Sequence, residues 1–489
     1  MLKHCTPKCL MSTSHRLFKN TATLIIANGL QPVLSFYLVV TITRALGIEG
    51  LGAYSTIFNY QAIFQILAGF GLKNLLTRDL AQKPGDTGRY LLHGALVALP
   101  FSILSVASMI ALMALLGYEE SVFWASVILS LSLIAAALID VCEGIVSGAE
   151  RLDFIGYTAI IENLLRVVIS LVCLWQGFGL LALVWTFVVL RFARVLLYLF
   201  FIFRHFAPLR FTLDWTFAKN LARHARVFAA TMACVTIYWK VDVSLLSKFG
   251  SMEDVGIYTA AYRFFMLSMV LVDSFVNSLF PMISNYFQAS GEAFERACKK
   301  SLQILLIVTV PVTLAFSLFA EPIILLIYKA KLAAAIPVLR WLIWALMPYA
   351  ISQIFAYALV ASNNQRYDFF VNVASMVANI ILNWFFIQRF GYMGAVYAAL
   401  IAICLYLILQ LPYVLTRVLH FNWKTVASST VKVFGAAVAM AAFATLFQSI
   451  NFWGLLPLSI LVYLTALFAL RTFSQSDMAL VQRIFGKAV

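Results

Sequence analysis

Charged side chains are scarce in this chain. They make up 11% of its 489 residues, against roughly 25% in an ordinary soluble domain. Hydrophobic residues make up 63%, and they form about fourteen runs, each long enough to supply the ~20 residues that a bilayer crossing needs. These runs nearly exhaust the chain, which excludes a separate soluble catalytic domain. The sequence therefore predicts an all-α polytopic membrane protein with about fourteen transmembrane helices.

Motifs for nucleotides, metals and cofactors are also missing. No Gly-x-x-x-x-Gly-Lys-Ser/Thr loop occurs, so ATP is not expected to be the energy source. The seven cysteines are scattered, and the N-terminal pair Cys5 and Cys9 fits no strong zinc spacing. The first apolar run lacks a small-residue cleavage site and is expected to be retained as a helix. We expect no metal, no cofactor and no enzymatic chemistry.

Basic residues are distributed unequally between the two sides of the membrane. The predicted spans are 21–43, 51–72, 91–116, 121–147, 154–175, 178–203, 227–247, 255–280, 302–328, 334–361, 368–388, 391–416, 433–451 and 453–470. The even-numbered connections and the two tails carry 24 of the 35 Lys and Arg residues, and the odd-numbered connections carry five. The positive-inside rule places the 24-charge side, with both termini, in the cytoplasm. Because these charges face lipid headgroups, the net charge of +15 does not indicate a nucleic-acid partner.

The chain contains an internal duplication at an offset of about 200 residues. Three pairs of segments match in the same order: Gly47–Ser55 (GIEGLGAYS) with Ser251–Thr259 (SMEDVGIYT), Glu150–Phe154 with Gln365–Phe369, and Gly179–Trp185 with Gly391–Tyr397. Six helices separate the copies, so the two copies have the same orientation. Parallel repeats of this kind place a substrate between their halves.

The duplication predicts the domain organisation. Two six-helix lobes are expected around a central cleft, with the N-lobe at 21–203 and the C-lobe at 227–416. A cytoplasmic connection at 204–226 joins them. Helices 13 and 14, at 433–470, fall outside the repeat and form an appendage. The remaining segments are cytoplasmic tails at 1–20 and 471–489.

Several motifs resemble a known transporter family. TRALGIEGLGAYS followed by GFGLKNLLTRDLA (Gly69–Ala81) resembles the opening of the Wzx-type polysaccharide and O-antigen flippases of the multidrug/oligosaccharidyl-lipid/polysaccharide superfamily. The stretches Lys240–Phe265 and Leu279–Ser284 resemble the matching pattern of the second lobe. The resemblance covers about residues 15–420.

The resemblance implies that the protein moves an undecaprenyl-pyrophosphate-linked oligosaccharide from the inner to the outer leaflet of a bacterial inner membrane. An O-antigen repeat unit for lipopolysaccharide is an example of such a substrate. Alternating access with ion coupling is the implied mechanism, and membrane lipids, a polysaccharide polymerase and a chain-length regulator are the implied partners. A lipid II flippase of the MurJ type, or a multidrug or cation antiporter of the related branch, is the alternative. Short outer connections disfavour a glycan polymerase.

Five basic residues lie deep inside predicted spans, where a charge costs roughly 2.5–3.5 kcal/mol on insertion scales. They are Arg166, Arg191, Arg194, Lys240 and Arg263. We expect them to form a cationic cavity for the diphosphate, because the planar guanidinium suits phosphate oxygens. Arg191 and Arg194 share one helical face that carries no acid. They are therefore expected to need acids from the other lobe or an anionic ligand.

Acids accompany these cations. Three lie deep enough for ion coupling or structural pairing: Glu162, Asp242 and Asp273. Glu162 is spaced to form an i,i+4 ion pair with Arg166 on its own helix. Three other charged residues lie close enough to helix ends to reach the interface and are set aside: Asp140, Glu143 and Arg340.

Aromatic residues make up 15% of the chain. Most of the tryptophans lie near predicted span ends, which indicates an interfacial belt. Trp239 and Tyr238, beside Lys240, are the candidates for stacking on sugar rings.

Overall fold

The computed structural model describes residues 7–82, 86–206, 212–419 and 423–472, and within these ranges the backbone is helical apart from short connections. The helices are α1 Pro7–Gly69, α2 Leu72–Gln82, α3 Thr87–Leu116, α4 Glu120–Ser130, α5 Ser132–Gly148, α6 Leu152–Trp175, α7 Leu180–His205, α8 Trp215–Phe249, α9 Met252–Ala289, α10 Gly291–Leu318, α11 Ala320–Tyr328, α12 Ala335–Leu342, α13 Leu346–Ala361, α14 Gln365–Phe390, α15 Tyr392–Tyr413, α16 Trp423–Leu446 and α17 Phe452–Ala469. Short 3₁₀ turns flank α12, and a π-helical turn, Val414–Val418, follows α15.

The described ranges contain twelve helical stretches that are long and apolar enough to cross a membrane. The fourteen predicted spans map onto them with two differences of counting. The first two predicted spans fall in one stretch, Gln31–Gln82, in which a non-helical residue of α1, Gly47 (φ 78°, ψ −172°), makes a break. The thirteenth corresponds to the shorter apolar helix Thr430–Leu446. Hydropathy thus predicted the all-α membrane architecture.

Two helices begin earlier than the sequence predicts. Helix α1 begins at Pro7, within the expected tail at 1–20, and α8 begins at Trp215 rather than at residue 227. Residues 473–489 of the expected C-terminal tail, and the side chains of Cys5 and Cys9, lie outside the described part of the chain.

A polar cap determines where α8 begins. The Asp214 carboxylate accepts a hydrogen bond from the Phe217 amide at 3.0 Å and pairs with Arg89 at 2.6 Å. The Asp214 amide donates to His93 Nε2 at 2.8 Å. The Phe217 amide, assisted by Arg89, lowers the pKa of Asp214 below its ordinary value. Because the first turns of α8 are rich in polar residues, hydropathy alone did not detect this beginning.

The described residues form two compact units, which divide between Thr259 and Ala260. In unit 1, α1 packs on α3, α6 and α8, and α5 packs on α2, α3 and α7. The Asn59 amide of α1 donates to the Lys240 carbonyl at 3.0 Å and to the Ser244 hydroxyl at 2.8 Å, which attaches α8 to this unit. The division therefore falls inside α9, after the expected 204–226 connection.

Unit 2 is built around α10, which packs on α13 and α16, while α14 packs on α15. The buried side chains Val433, Met440, Tyr463 and Leu467 of α16 and α17 share one apolar core with Leu306 of α10. The Tyr463 hydroxyl donates to the Ile307 carbonyl at 3.0 Å. The two helices beyond the duplication are thus attached to α10.

Candidate functional site

Arg194 lies at the centre of a buried ion cluster in unit 1. Its Nη1 donates to Glu162 at 2.6 Å and its Nη2 donates to Glu143 at 2.5 Å. The Tyr198 hydroxyl, one turn along α7, donates to the same Glu143 oxygen at 3.1 Å. The relative exposures of Arg194, Glu143 and Glu162 are 9%, 6% and 8%. Charges this buried are tolerated because each has an ionic partner.

Two more cations, Lys73 and Arg191, pair with these glutamates. We call the five residues the charged cluster: Lys73, Glu143, Glu162, Arg191 and Arg194. Lys73 donates to Glu143 at 2.5 Å, and Arg191 Nε lies 3.1 Å from Glu162. Three cations therefore face two carboxylates. The lysine side chain is 43% exposed, whereas that of Arg191 is 19% exposed. The excess is one positive charge, and Asp140 of α5, which lies within electrostatic range of Lys73, Glu143, Arg191 and Arg194, offsets it.

Helix packing brings these residues together from four parts of the sequence. Lys73 is on α2, Glu143 on α5 and Glu162 on α6, while the two arginines are on α7. Arg191, Arg194 and Tyr198 share one face of α7 because they are spaced i, i+3 and i+7. Since α5 packs on α2 and α7, and α6 packs on α7, that face meets both glutamates.

Arg166 lies beside the charged cluster without an ionic partner of its own. Its Nη2 donates to the Ser35 hydroxyl at 3.3 Å, and its Nε has no hydrogen-bond partner. Within the described ranges, no carboxylate lies within ion-pair distance of it. The guanidinium carbons of Arg166 and Arg191 lie 5.8 and 4.9 Å from the centre of the Phe187 ring, so one ring contacts both cations. Arg166 therefore keeps donors available for an anion.

The structure corrects three expectations about these charges. Glu162 pairs with Arg191 and Arg194 of α7 rather than with Arg166 on its own helix. The acids that pair with the two arginines come from α5 and α6 of the same unit, not from the other lobe. Setting Glu143 aside as an interfacial residue was wrong, because it is buried and bonded to Arg194. Pairs so far apart in sequence are made by helix packing, which periodicity does not reveal.

The remaining predicted site residues of unit 1 lie on α8. The carboxylate of Asp242 accepts a hydrogen bond from the Tyr258 hydroxyl at 3.0 Å. The rings of Tyr238 and Trp239 meet edge to face, 5.1 Å apart. Lys240, next in sequence, offers its carbonyl to Asn59 and Ser244. These residues are thus placed on one helix that packs against α1.

Two predicted residues, Arg263 and Asp273, belong to unit 2, where both lie on α9. The Asp273 carboxylate accepts a short hydrogen bond, 2.6 Å, from the Tyr349 hydroxyl of α13. The sequence reading missed another acid of this unit, Asp368. Its carboxylate accepts from Tyr406 at 2.9 Å and Gln410 at 2.8 Å. The signal was available, since Asp368 matches Asp153 in the duplication.

Metal-ligating side chains do not gather in the described ranges, where no group of three or more His, Cys, Asp or Glu could hold an ion. The chemistry that the charged cluster and Arg166 can perform is the binding of an anion by guanidinium groups. A compact, multiply charged anion such as a phosphate ester or diphosphate fits these donors.

Comparison with known proteins identifies the family. The model of the family described as polysaccharide biosynthesis protein matches residues 17–287, which is more than half of the chain. The chain belongs to this family. A second family model, MatE, matches residues 228–385. The family and its transporter fold place the chain among transporters rather than enzymes.

Individual relatives agree with this placement. The probable low-salt glycan biosynthesis flippase Agl15 of Haloferax volcanii is 22% identical over 452 residues, covering 88% of this chain and 90% of the relative. The lipid II flippase MurJ, in an inward closed conformation, superposes with a TM-score of 0.75 at 16% identity, covering 94% of this chain and 99% of MurJ. An inward-facing multidrug transporter of the MATE family gives a TM-score of 0.66 at 16% identity, covering 79% of this chain and 94% of that transporter. The two structural likenesses establish the fold.

Proposed function

We propose that this family member is a flippase for a lipid-linked oligosaccharide. Its substrate is an undecaprenyl-pyrophosphate-linked repeat unit, such as that of an O-antigen, and it moves from the inner to the outer leaflet of a bacterial inner membrane by alternating access. The observation that carries the proposal is Arg166, a cation without an ionic partner that lies beside the charged cluster inside membrane spans and gives this group of side chains its excess positive charge. The diphosphate is the part of the substrate that hydrocarbon excludes most strongly, and it needs such a partner.

The geometry divides the arginines by role. Arg166 and Arg191, which both contact the Phe187 ring, are the half-buried pair that contacts the diphosphate. Arg194 has both of its Nη groups bound to glutamates. It therefore acts as a positioning residue that keeps Glu162 in place to orient Arg191. Lys240 and Arg263 remain proposed contacts for the same anion, and Trp239 and Tyr238 for the sugar rings.

Ion coupling is assigned to a different acid. Protonating Glu162 would leave Arg191 and Arg194 without one of their carboxylate partners, which makes it a poor carrier of a proton. Asp273 accepts a hydrogen bond from the neutral Tyr349 hydroxyl and forms no ion pair within the described ranges, so it can gain or lose a proton without breaking one. We assign the coupling role to Asp273, with the buried Asp242 of α8 as the alternative.

Lipid II is the second candidate substrate. The likeness to MurJ over 94% of this chain favours it, and lipid II presents the same diphosphate on the same class of lipid. A lipophilic cation, the substrate class of a multidrug antiporter, is disfavoured because the charged cluster and Arg166 together carry more positive than negative charge.

The charge distribution supports cytoplasmic termini. The proposed partners are membrane lipids, together with a polysaccharide polymerase and a chain-length regulator that act on the translocated unit.

Binding to purified full-length protein tests the substrate class. Undecaprenyl-pyrophosphate-linked oligosaccharide, lipid II, undecaprenyl monophosphate and a lipophilic cation are titrated against wild type, Arg166→Ala and the control Arg204→Ala. Arg204 is an exposed arginine at the end of α7. We expect the oligosaccharide diphosphate to bind most tightly, and Arg166→Ala to weaken it by about tenfold, the worth of one charge-assisted hydrogen bond. Tightest binding of the cation would contradict the proposal, and tightest binding of lipid II would select the second candidate.

A further inference from the structure

A polar cavity lies between the appended helices and the rest of unit 2, apart from the charged cluster. It has a volume of about 380 Å³ and is lined by residues of α10, α11, α12, α16 and α17. Its floor is apolar, because the buried side chains of Phe319, Ala444 and Leu455 pack together there, with the Phe452 ring 5.9 Å from that of Phe319. A volume in this range is typical of sites for small ligands.

The polar groups of the cavity have opposite charges that do not neutralise each other. Glu321 of α11 and Arg340 of α12 both line it and are both exposed. In the described part of the chain, Glu321 and Arg340 form no ion pair within 4.0 Å, either with each other or with another residue. Gln448 adds an amide, whereas the Thr445 hydroxyl is already bonded to the Ala441 carbonyl. The cavity therefore offers a cation and a carboxylate that form no ion pair with each other, together with an apolar floor.

The cavity lies at the level of the membrane interface. It is bordered by residues 318–322, where α10 meets α11, and by the connection at 447–451 between α16 and α17. Both lie at odd-numbered connections between spans, 319–334 and 447–451, which the charge distribution places on the outer side. Trp341 of α12 and Trp453 of α17, both exposed, lie on helices that border it. Tryptophans at this position in a span mark the headgroup region of the bilayer.

We propose that this cavity binds the zwitterionic headgroup of a phospholipid of the outer leaflet, with phosphatidylethanolamine as the chemical type. Arg340 contacts the phosphate, and Glu321 with Gln448 accepts hydrogen bonds from the primary ammonium. The apolar floor contacts the start of the acyl chains. A zwitterion satisfies both charges at once, whereas an anionic headgroup satisfies Arg340 and is repelled by Glu321.

Native mass spectrometry of the full-length protein in detergent tests this proposal. Phosphatidylethanolamine and phosphatidylglycerol with identical acyl chains are titrated, and inorganic phosphate is used as a competitor. We expect phosphatidylethanolamine to bind about fivefold more tightly than phosphatidylglycerol, the size of one exposed charge pair. Arg340→Ala should weaken the binding of both lipids, and Glu321→Ala should abolish the preference between them. The controls Arg389→Ala and Glu119→Ala remove exposed charges outside the cavity and should change neither affinity.

Conservative variants keep the test decisive if an alanine variant folds poorly. Arg340→Lys should retain the preference, and Glu321→Gln should lose most of it. Equal affinity of the wild type for the two lipids, or pocket variants that behave like the controls, would overturn the proposal. Displacement of the lipid by millimolar inorganic phosphate would also overturn it, because the site would then select a free anion.

Discussion

Gly52 and Gly256, the matching glycines of the two repeats, lie against each other's helix, Gly52 just after the break at Gly47 in α1 and Gly256 in the first turns of α9. A Cβ built on Gly52 would collide with the Met252 carbonyl, and one built on Gly256 would collide with the Ile48 carbonyl. The contact is therefore reciprocal, and each glycine meets the residue four positions before the other. The duplication in the sequence thus appears in the structure as a self-complementary helix crossing that only glycine permits on both sides.

The first prediction concerns this crossing. Replacing Gly52 or Gly256 with Ala forces backbone against backbone, and overpacking of this kind typically costs about 1–3 kcal/mol. We expect both variants to lower the apparent melting temperature of the purified protein, measured by a thermal-shift assay in detergent.

The matched control is Gly291→Ala at the start of α10, where a Cβ would meet no atom within 4 Å. It should leave the melting temperature unchanged or raise it slightly. Melting temperatures for Gly52→Ala and Gly256→Ala equal to that of the control would show that the helices do not cross so closely.

The second prediction concerns Arg194. Its removal leaves Glu143 without its buried arginine and Glu162 with only Arg191, and breaking a buried ion pair costs about 3–5 kcal/mol. Arg194→Ala should therefore lower the amount of folded protein in the membrane severalfold, as measured by quantitative immunoblotting with fluorescence-detected size exclusion. Arg194→Lys keeps one charge and should recover part of that amount.

Arg204→Ala, on the same helix but exposed, is the control and should leave the protein level unchanged. An Arg194→Ala variant that accumulates like the wild type would mean that Arg194 is not held by the glutamates. Arg194 would then be free to bind substrate directly.

The sequence predicts those features of the fold that depend on local properties of the chain, and it does not predict those that depend on contacts between helices. The number of spans follows from hydropathy, because lipid requires every backbone group to be satisfied within a helix. The break between the first two spans falls at a glycine, Gly47. The start of α8 depends on the Asp214 cap and was missed. The deep basic residues were found from their insertion cost, which is a local property.

The pairing of those residues could not be predicted in the same way. Glu162 lies four residues before Arg166, yet it pairs across helices with Arg191 and Arg194. The position of Glu143 near a predicted helix end indicates an interfacial side chain, but that position carries no information about the neighbouring helices that bury it. Tertiary packing therefore decides which cation keeps hydrogen-bond donors available for a ligand. Only the folded structure shows that this cation is Arg166.

The third prediction tests the orientation in the membrane. Alkaline phosphatase is active only outside the cytoplasm, so its fusion within the connection at 329–331 should be active. A fusion at the C-terminus should be inactive, because that end is assigned to the side with 24 of the 35 basic residues. The opposite pattern of activity would reverse the assigned sides, including the outer position of the lipid cavity.

The fourth prediction separates coupling from substrate binding. Asp273→Asn retains an acceptor for the Tyr349 hydroxyl but cannot exchange a proton. We expect it to bind the lipid-linked oligosaccharide like the wild type while losing the response of transport to an imposed pH gradient. Glu162→Gln is the comparison and should instead reduce the protein level. An unchanged gradient response in Asp273→Asn would remove Asp273 from the coupling role.

The measurement that tests the central claim most directly is transbilayer movement in proteoliposomes. Undecaprenyl-pyrophosphate-linked oligosaccharide is incorporated into vesicles with the purified protein, and its exposure is followed with a membrane-impermeant glycosidase. Wild type and Arg204→Ala should make the protected pool of oligosaccharide accessible, and Arg166→Ala should slow this movement by about tenfold with the protein level unchanged. If the wild type exposes no more oligosaccharide than protein-free vesicles do, the protein is not a flippase for this substrate.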